Sequence, residues 1–523
     1  MEKYPIGKQD FKVIREGGYV YVDKTGFIPK LVNDSNYYFF SRPRRFGKSL
    51  FLSTLEYFFQ GQKELFAGLE VVSTDWGWDW TEYPVIHLDL NGADYTQPLG
   101  LESRLSSNLH YYEKKYATES NEDLSLPERF RVLIENIYSS TGKKIVVLVD
   151  EYEKPILDSI DYPDLFRRNK DLLHGFYGVI KSLDKYLQFV FLTGVTKFGQ
   201  MNIFSGLNNI RDISLNPEYG SLCGVEEKDL MRYFPVGIRK LGEKLRLTPE
   251  KVLDLLKENY DGYHFCENCA DLYNPYSLLN AFADSKIKPY WAYTATPTIL
   301  AKVLHSNDFD LPRLEGIRVS EQRLMGLNNN FDDPAVLFYH TGYLTIKDYD
   351  PQTDLFILGY PNKEVEQAFF EFLLPNFSGK NRTQTSSFLD EFKIALDDGD
   401  PYKAMELLTR FSSSISYDMI PSPEVERHFQ YIIYIIVKLL ASSASFVKVE
   451  EKTSNGRIDL LVINLRYVYI FEFKRDASGH DALKQIYDKE YALQFQNDNR
   501  KVFLIGANFS TSKKRLEDYV IEG

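Results

Sequence analysis

Cysteine and long apolar runs are both scarce in this chain. Three cysteines among 523 residues are too few for a disulfide framework, so a reducing cytoplasm is the simplest compartment. The most apolar stretch, residues 431–437, is followed by Lys438 and is too short to cross a bilayer. The first residues lack the apolar core of a signal peptide. We therefore expect a cytoplasmic protein without a membrane partner.

Net positive charge is also missing. The 74 acidic residues outnumber the 62 basic ones and leave a formal net charge of −12, which argues against a generally basic coat for nucleic acid. One cleft can still be cationic, because a few clustered lysines and arginines dominate the field around them. Hydrophobic residues make up 44% of the chain and aromatic residues 15%, which is enough for several packed cores. The length favours a globular protein of roughly three or four domains.

A strand-like run, a polar loop and a helical pattern follow one another over residues 37–55, and the loop ends in Gly47, Lys48 and Ser49. In this layout the backbone N–H groups and the helix N-terminus face a phosphate. The lysine reaches the β- and γ-phosphates, and the serine ligates Mg²⁺. The candidate nucleotide-binding residues of the loop are Arg42, Pro43, Arg44, Arg45, Phe46, Gly47, Lys48 and Ser49.

A buried-strand pattern over residues 144–149 ends in two acids, Asp150 and Glu151. The first acid can hold Mg²⁺ together with the loop serine, and the second can orient the attacking water. Thr193, at the end of another strand pattern, either senses the γ-phosphate or caps a turn. The loop and the acid pair together predict a site for a nucleoside triphosphate and Mg²⁺.

Residues 1–215 alternate strand-like and helical patterns, which is typical of a parallel α/β domain. A helix over residues 128–140, with Pro127 at its start, precedes the strand that ends in the two acids. We expect a P-loop NTPase sheet domain. Its predicted strands cover residues 37–40, 85–90, 145–149 and 189–193.

Three further regions follow. Residues 216–310 are helical in pattern and favour a helical lid or winged-helix module, with helix starts at Pro249, Pro275 and Pro297. Residues 311–415 are a linking region with short strands within 337–358 and a helix over 388–410. Residues 416–523 are an α/β domain in the order helix, three strands, helix over 481–497, and strand.

Two strands of this last region carry charges inside apolar runs. Asp459 is the only acid in the run 457–463, and Glu472 and Lys474 share one face of their strand because side chains alternate. Burying unpaired carboxylates costs several kcal/mol, so two of them at adjacent strand ends indicate a cation. A divalent metal there would polarise a phosphodiester and lower the pKa of its water, with Lys474 either orienting that water or offsetting charge on the phosphorane. The alternative is a structural ion pair on a sheet edge.

Three neighbouring residues are further candidates. Glu450 ends the preceding strand and Glu426 lies on the first helix, and both are in a position to complete the metal shell. For Glu450 the alternative is a solvated strand end, and for Glu426 a helix first-turn acid. Gln485, on the following helix, is a candidate to contact the nucleophile or the nucleic-acid backbone.

The acid, spacer and Glu-x-Lys pattern within this order of elements resembles the PD-(D/E)XK nuclease superfamily, whose fold is restriction-endonuclease-like. Its details are similar to the branch fused to AAA-ATPase-like domains, and the N-terminal half is similar to those domains as well. The stretches that carry the resemblance are 21–25, 42–49, 150–152, 192–195, 260–263, 273–276, 456–459, 471–474 and 485–486. The resemblance therefore covers nearly the whole chain.

From the resemblance we expect a bacterial or archaeal protein that uses ATP with Mg²⁺ and cuts nucleic acid, DNA rather than RNA, with Mg²⁺ or Mn²⁺. A homo-oligomer is compatible with it. One departure is that Arg42, followed by Pro43, stands where the phosphate loop usually has its first glycine. Direct contact of Arg42, Arg44 or Arg45 with phosphate or nucleic acid is an alternative role for these arginines.

The sequence as a whole predicts an ATP-binding protein, an ATPase by expectation, coupled to a metal-dependent nuclease domain. Catalysis is assigned to Glu151 at the first site and to Asp459, Glu472, Lys474 and Gln485 at the second. The alternative is an NTP-dependent signalling or scaffold protein whose C-terminal domain binds nucleic acid or a partner without cleaving. A pure ATPase motor with a degenerate nuclease domain is a third option.

Overall fold

The structure is a computed structural model that describes residues 2–73, 75–119, 121–196, 209–291, 311–325, 333–415, 425–441, 446–453, 456–496 and 498–523. For residues 425–427, 441, 446–453 and 456–458 it describes the backbone alone. The described residues form two compact units that divide between Glu364 and Val365, except that residues 311–313 group with the second. The finer boundaries at 215, 310 and 415 remain predictions.

The first unit is built on a parallel sheet of five strands. They are β1 Tyr37–Ser41, β2 Val85–Asp89, β3 Ile145–Asp150, β4 Leu187–Gly194 and β5 Arg211–Asp212. Their spatial order is β2-β3-β4-β1-β5. The strands are near-continuous apolar runs because helices cover both faces of such a sheet. All four predicted strands are confirmed, and β5 is additional.

Helices flank this sheet. They are Phe11–Glu16, Ile28–Asp34, Lys48–Phe59, Glu70–Ser73, Gly100–Lys115, Leu126–Thr141, Lys154–Asp158 and Pro163–Gly178. The helix Leu126–Thr141 has a proline in its first turn and ends at Gly142, whose φ of 67° is readily adopted by glycine. The predicted helix over 128–140 is therefore confirmed.

The parallel direction of the strands decides where a site can form. The carboxyl ends of parallel strands meet at one edge of the sheet, where ligands of such folds bind. In the register of the sheet Asp89 lies opposite Asp150, and Ser41 lies opposite Gly194. The chain enters the phosphate loop directly from Ser41.

A group of helices with its own apolar core follows: Glu227–Tyr233, Pro235–Leu245, Pro249–Tyr260 and Pro275–Asp284. The side chains of Thr248 and Asn274 cap two of these helices by accepting backbone N–H groups, which confirms the predicted starts at Pro249 and Pro275. Pro297 lies outside the described residues. Between the last two helices, the sulfur atoms of Cys266 and Cys269 lie against each other.

The first unit also contains an antiparallel sheet: β6 Ile317–Val319, β7 Thr345–Asp350 and β8 Leu355–Gly359, in the order β6-β8-β7. Two short helices accompany it, Glu321–Met325 and Pro334–Thr341. The predicted strands over 337–358 are therefore wrong at their beginning, which is helical. Asp333 caps that helix by accepting the N–H of Val336, and Gly342 ends it with a φ of 88°.

The second unit combines helices with a mixed sheet. The helices are Lys363–Ser378, whose first two residues belong to the first unit, and Arg382–Asp398, Pro401–Ser413, Val425–Ala441 and Gly479–Asp488. The strands are β9 Phe446–Thr453, β10 Gly456–Ile463, β11 Tyr467–Arg475, β12 Lys501–Ser510 and β13 Arg515–Glu522. Their order is β13-β12-β11-β10-β9, with β11 and β12 parallel and the other pairs antiparallel.

Two predicted helices are shorter in the structure. The one over 388–410 is two helices separated at Gly399, which has a φ of 77°. The one over 481–497 ends at Asp488, and Glu490 close behind it has a φ of 52°, which no α-helix contains. Among the described residues, no helix combines the length and the hydropathy needed to span a bilayer.

Candidate nucleotide site and candidate nuclease site

The phosphate loop runs from β1 into the helix Lys48–Phe59. Gly47 has a φ of 95°, a conformation that suits glycine, and it turns the chain into the helix N-terminus. The Lys48 ammonium donates to the carbonyl oxygens of Arg42 and Pro43, at 3.0 Å and 3.2 Å. The lysine is thus held over its own loop, where a bound phosphate would meet it.

Asp150 and Ser49 lie side by side at the carboxyl edge of the sheet. Burial raises the pKa of Asp150 above its ordinary value, while the hydrogen bond with Ser49 and the charge of Lys48 oppose that shift. A serine hydroxyl next to a carboxylate at the start of the phosphate-loop helix is a ligand pair suited to Mg²⁺. The structure therefore brings the two predicted Mg²⁺ ligands together.

Glu151 follows in an unusual backbone conformation. Its φ is 50°, which is uncommon for a residue other than glycine, and its N–H donates to the Asp150 carboxylate at 3.0 Å. Strained residues of this kind cluster at functional sites. Here the turn places Glu151 in the wall of a cavity that Ser49 also lines.

The cavity at this edge has a volume of about 540 Å³, within the range of small-molecule sites. Its charged lining consists of five cations and two acids: Lys8, Arg44, Arg45, Lys48, Lys154, Asp89 and Glu151. Such an excess of cations suits a polyanionic ligand. A smaller pocket of about 90 Å³ shares part of this wall and is mainly apolar, with Val22, Leu50, Phe234 and Leu279 among its residues.

Arg42 does not face the cavity. Its side chain is 2% exposed and lies between the rings of Phe40 and Phe265, with centroids at 4.4 Å and 4.3 Å. The guanidinium donates to the carbonyl oxygens of Ser41, Ser214, Tyr219 and Gly220. The interpretation of the Arg42 side chain as a phosphate or nucleic-acid contact is therefore wrong, because stacking and buried carbonyls already use its planar group.

The other loop residues divide into two groups. Arg44 and Arg45 are exposed and line the cavity, and the Arg45 guanidinium lies 4.7 Å from the centroid of the Tyr276 ring. Phe46 is buried instead, with its ring edge-on to Tyr263 at 4.8 Å and to a second aromatic ring. Pro43 is also buried. The loop therefore presents cations to the cavity and anchors itself with its apolar members.

The predicted sensor, Thr193, is fully buried at the end of β4. Its hydroxyl has no hydrogen-bond partner among the described residues. Its carbonyl oxygen accepts the N–H of Tyr152 at 3.3 Å. The backbone of Thr193 is therefore hydrogen-bonded to the turn that follows Asp150 and Glu151, and its hydroxyl is available to contact a ligand.

The second site lies on β11 and the helix Gly479–Asp488. Glu472 is 2% exposed, and the Lys474 ammonium and the Gln485 amide both donate to its Oε1, the former at 3.2 Å. The ammonium of Lys474 also donates to Gln485. These three predicted residues thus form one closed hydrogen-bonded group.

Asp459, on β10, lies close to this group. Its carboxylate accepts the N–H of Phe473 at 2.9 Å. Burial raises the pKa of Glu472 to about 7, and the nearby charge of Asp459 adds to the shift, whereas Lys474 opposes it. The Oε2 atom of Glu472 is buried and has no hydrogen-bond partner among the described residues. Two close carboxylates with a spare buried oxygen are suited to a shared cation.

The two remaining predicted ligands are not tested. The side chains of Glu450 and Glu426 lie outside the described residues, although their strand and helix are described. Within the part of the chain that the structure describes, no cluster of three or more His, Cys, Asp or Glu is arranged for a metal. Among the described side chains, a metal at this site would therefore rest on Asp459 and Glu472.

Comparisons with known proteins agree with this pair of sites. Residues 5–204 match the AAA-ATPase-like family model, described as "Predicted AAA-ATPase", and residues 424–519 match that of the PD-(D/E)XK nuclease superfamily. A protein of Azotobacter chroococcum mcd 1, described as an uncharacterized protein in the vnfD 5' region, is 34% identical over 527 residues. The alignment covers 100% of this chain and 99% of that protein. The chain belongs to this family of AAA-ATPase-like proteins with a PD-(D/E)XK domain.

Among solved structures, the Aeropyrum pernix ORC1 protein in complex with DNA resembles this AAA-ATPase-like protein over 69% of its chain and 96% of that chain. The identity is 11% and the TM-score 0.25. At that score the likeness supports no conclusion about fold or ligand.

Sequence reasoning missed several residues of the AAA-ATPase-like site. Asp89 is the second-to-last residue of the predicted strand 85–90. Its register with Asp150, at the end of the neighbouring strand, was the signal that could have identified it. Lys154 follows the acid pair closely, whereas Lys8 reaches the cavity from far away in the sequence. Glu153 is buried behind the acid pair and gave no signal beyond its place in a run of charges.

Proposed function

We propose that the chain binds ATP with Mg²⁺ in its N-terminal cavity and hydrolyses it, and that its C-terminal site cleaves nucleic-acid phosphodiester bonds with Mg²⁺ or Mn²⁺. The observation that carries the proposal is that Lys48, Ser49 and Glu151 line one cation-rich cavity, while the buried Asp150 is hydrogen-bonded to Ser49. The closed group around Glu472 supports the second activity in the same way.

At the nucleotide site the residues divide the work. Lys48 exchanges its two loop carbonyls for the β- and γ-phosphates, and Arg44 and Arg45 offset further phosphate charge from the exposed part of the loop. Ser49 and Asp150 would hold Mg²⁺, which neutralises charge that develops on the phosphates. Glu151 orients the attacking water. The adjoining apolar pocket suits the flat face of the base.

At the nuclease site Glu472 and Asp459 would hold the metal, which activates water and polarises the scissile phosphate. Lys474 orients that water or offsets negative charge on the phosphate at the moment of attack. Gln485 holds Glu472 and Lys474 in place. Its side-chain NH₂ group donates to Glu472, and its side-chain oxygen accepts from Lys474.

The two activities in one chain favour a cytoplasmic bacterial protein in which the ATP state controls cleavage, with DNA as the preferred nucleic acid. The alternative of binding without cleavage differs only at the second site. There the acids and the lysine are all present, which favours catalysis.

The deciding experiment incubates the pure chain with plasmid, linear DNA and RNA, with and without ATP, across Mg²⁺ and Mn²⁺. We expect Lys48→Ala to abolish ATP binding, and Lys474→Ala to spare ATP binding and remove cleavage. Lys144 and Lys501 provide matched control variants to alanine, since both are exposed lysines, Lys144 directly before β3 and Lys501 at the start of β12. Normal cleavage by Lys474→Ala would show that the nuclease assignment is wrong.

A further inference from the structure

The turn after the acid pair holds the strand-end segment, which we define as residues 193–196. Tyr152 is buried, and its hydroxyl donates to the carbonyl oxygen of Thr196 at 2.9 Å. Its N–H donates to the carbonyl oxygen of Thr193 at 3.3 Å. Two contacts therefore join this turn to the segment beyond the last parallel pairing of β3 with β4, which is Val149 with Leu192.

Glu153 adds two more contacts to the same segment. It is 1% exposed, and its Oε1 accepts the N–H groups of Val195 and Thr196, the latter at 3.2 Å. Gly194 gives the carboxyl group room, because a Cβ atom there would overlap it. Beyond the end of the strand pairing, where sheet hydrogen bonds stop, the side chain of Glu153 replaces them.

The second oxygen of Glu153 is buried and has no hydrogen-bond partner among the described residues. An unpaired buried polar atom is costly and calls for an explanation. Burial raises the pKa of Glu153 to about 7, and the charge of Glu151 adds to the shift while Lys48 opposes it. The segment therefore uses the carboxyl oxygen as an acceptor and does not depend on a full negative charge.

We propose that Glu153 is a positioning residue of the nucleotide site, which fixes the strand-end segment so that Thr193 keeps a set place beside Asp150 and Glu151. Thr193 is the residue of this segment whose hydroxyl is buried and available. On one side Thr193 pairs with Phe40 of β1, but on the side of β3 the strand pairing has already ended at Leu192, so the contacts from the turn hold Thr193 there. The inference rests on the proposed ATP hydrolysis and assigns to Glu153 a part in the rate of that step.

The test compares ATP turnover with nucleotide affinity in variants of the full chain. Glu153→Ala should lower kcat at least tenfold and leave KM, and the Kd of a fluorescent ATP analogue, within threefold. Glu153→Gln should keep at least a third of kcat, because its amide oxygen accepts the same two N–H groups. Ser159→Ala is the matched control, since Ser159 is buried at the end of the helix Lys154–Asp158 and its hydroxyl donates to the carbonyl oxygen of Pro155, and it should keep the wild-type kcat.

Should Glu153→Ala fail to fold, Gly194→Ala tests the same contact, because the added methyl group would overlap the Glu153 carboxyl group. It should lower kcat and spare affinity in the same way. Wild-type kcat in Glu153→Ala or Gly194→Ala would overturn the inference, as would equal losses in the glutamine and alanine variants. A wild-type chain that does not hydrolyse ATP would overturn the proposed function, and the inference with it.

Discussion

Asp89 and Asp150 are register partners at the carboxyl ends of β2 and β3. Asp150 is buried beside Ser49, whereas Asp89 is exposed in the cavity wall. This difference predicts unequal roles. Asp150→Asn should lower ATP hydrolysis by roughly 100-fold or more, because it removes a charged metal ligand worth several kcal/mol.

Asp89→Asn should lower hydrolysis by less than about tenfold, since an exposed carboxylate acts through water and its field is screened. Steady-state phosphate release, measured across Mg²⁺ concentrations, separates the two variants. Asp75→Asn, at an exposed aspartate outside the cavity lining, is the control. Equal effects of Asp89→Asn and Asp150→Asn would contradict the assignment of Asp150 as the ligand.

Substitution of Arg42 should lower the stability of the chain, whereas substitution of Arg44 should weaken ATP binding. Arg42→Lys should lower the free energy of unfolding by roughly 3 kcal/mol, because a lysine cannot stack between two rings or satisfy the same buried carbonyls. Arg44→Ala should leave that free energy within about 0.5 kcal/mol. It should weaken ATP binding roughly tenfold, the worth of one charge-assisted contact. Urea unfolding and fluorescence titration measure the two quantities, and a stable Arg42→Lys protein would refute the structural role.

The buried ring of Phe46 anchors the phosphate loop, so its loss should lower the affinity for the nucleotide. Phe46→Ala should cost about 3–5 kcal/mol of unfolding free energy and also raise the Kd for ATP, because the loop loses its contacts with Tyr263 and its neighbour. The control is Phe130→Ala. Phe130 is buried in the helix Leu126–Thr141 and stacked on Phe176 at 4.6 Å, so its loss should cost similar stability and spare affinity. Equal Kd values in the two variants would rule out the link.

Glu472 makes the stability of the second unit depend on pH. Its pKa is raised from 4.5 to about 7 in the folded chain. The folded state therefore binds the proton more tightly than the unfolded state, and the resulting stability is present below about pH 4.5 and lost as the pH rises through 7. Glu472→Gln, which stays neutral, should thus stabilise the chain at pH 8 by up to about 3 kcal/mol and do little at pH 5.

Urea unfolding at both pH values, without added metal, checks this expectation. Glu517→Gln serves as the control, because Glu517 is an exposed acid on β13 outside this group. Addition of Mn²⁺ at pH 8 should stabilise the wild type and leave Glu472→Gln unchanged, since the metal relieves the buried charge. An equal response of both proteins to Mn²⁺ would remove Glu472 from the metal site.

The sequence was sufficient for those features that local patterns determine. The four predicted strands of the parallel sheet are apolar runs of ordinary strand length, and the caps at Thr248 and Asn274 are local chemistry. The positions of β9 to β12 along the chain were also predicted from local runs, and alternation within β11 placed Glu472 and Lys474 on one face. Each of these elements is determined by a few neighbouring residues in the sequence.

Long-range packing decided the rest. Arg42 looks like a phosphate ligand in its loop, and its burial is explained by partners far away in the sequence, such as the ring of Phe265 and the carbonyl oxygen of Ser214. The helix Pro334–Thr341 is rich in residues that also suit strands, so its pattern alone favoured β structure. Each case depends on contacts that no local window contains.

The place of β1 within its sheet has a consequence for motion. This strand is bonded on one side to β4, over five residue pairs, and on the other to β5, over two. The peptide groups just before the phosphate loop are thereby immobilised from both directions. When ATP binds, we expect this part of the sheet to keep its conformation. The conformational change should instead involve Arg44, Arg45 and the buried ring of Phe46. Amide exchange at Tyr38 and Phe39 would then stay slow with or without ligand, while the outer half of the loop changes its rate.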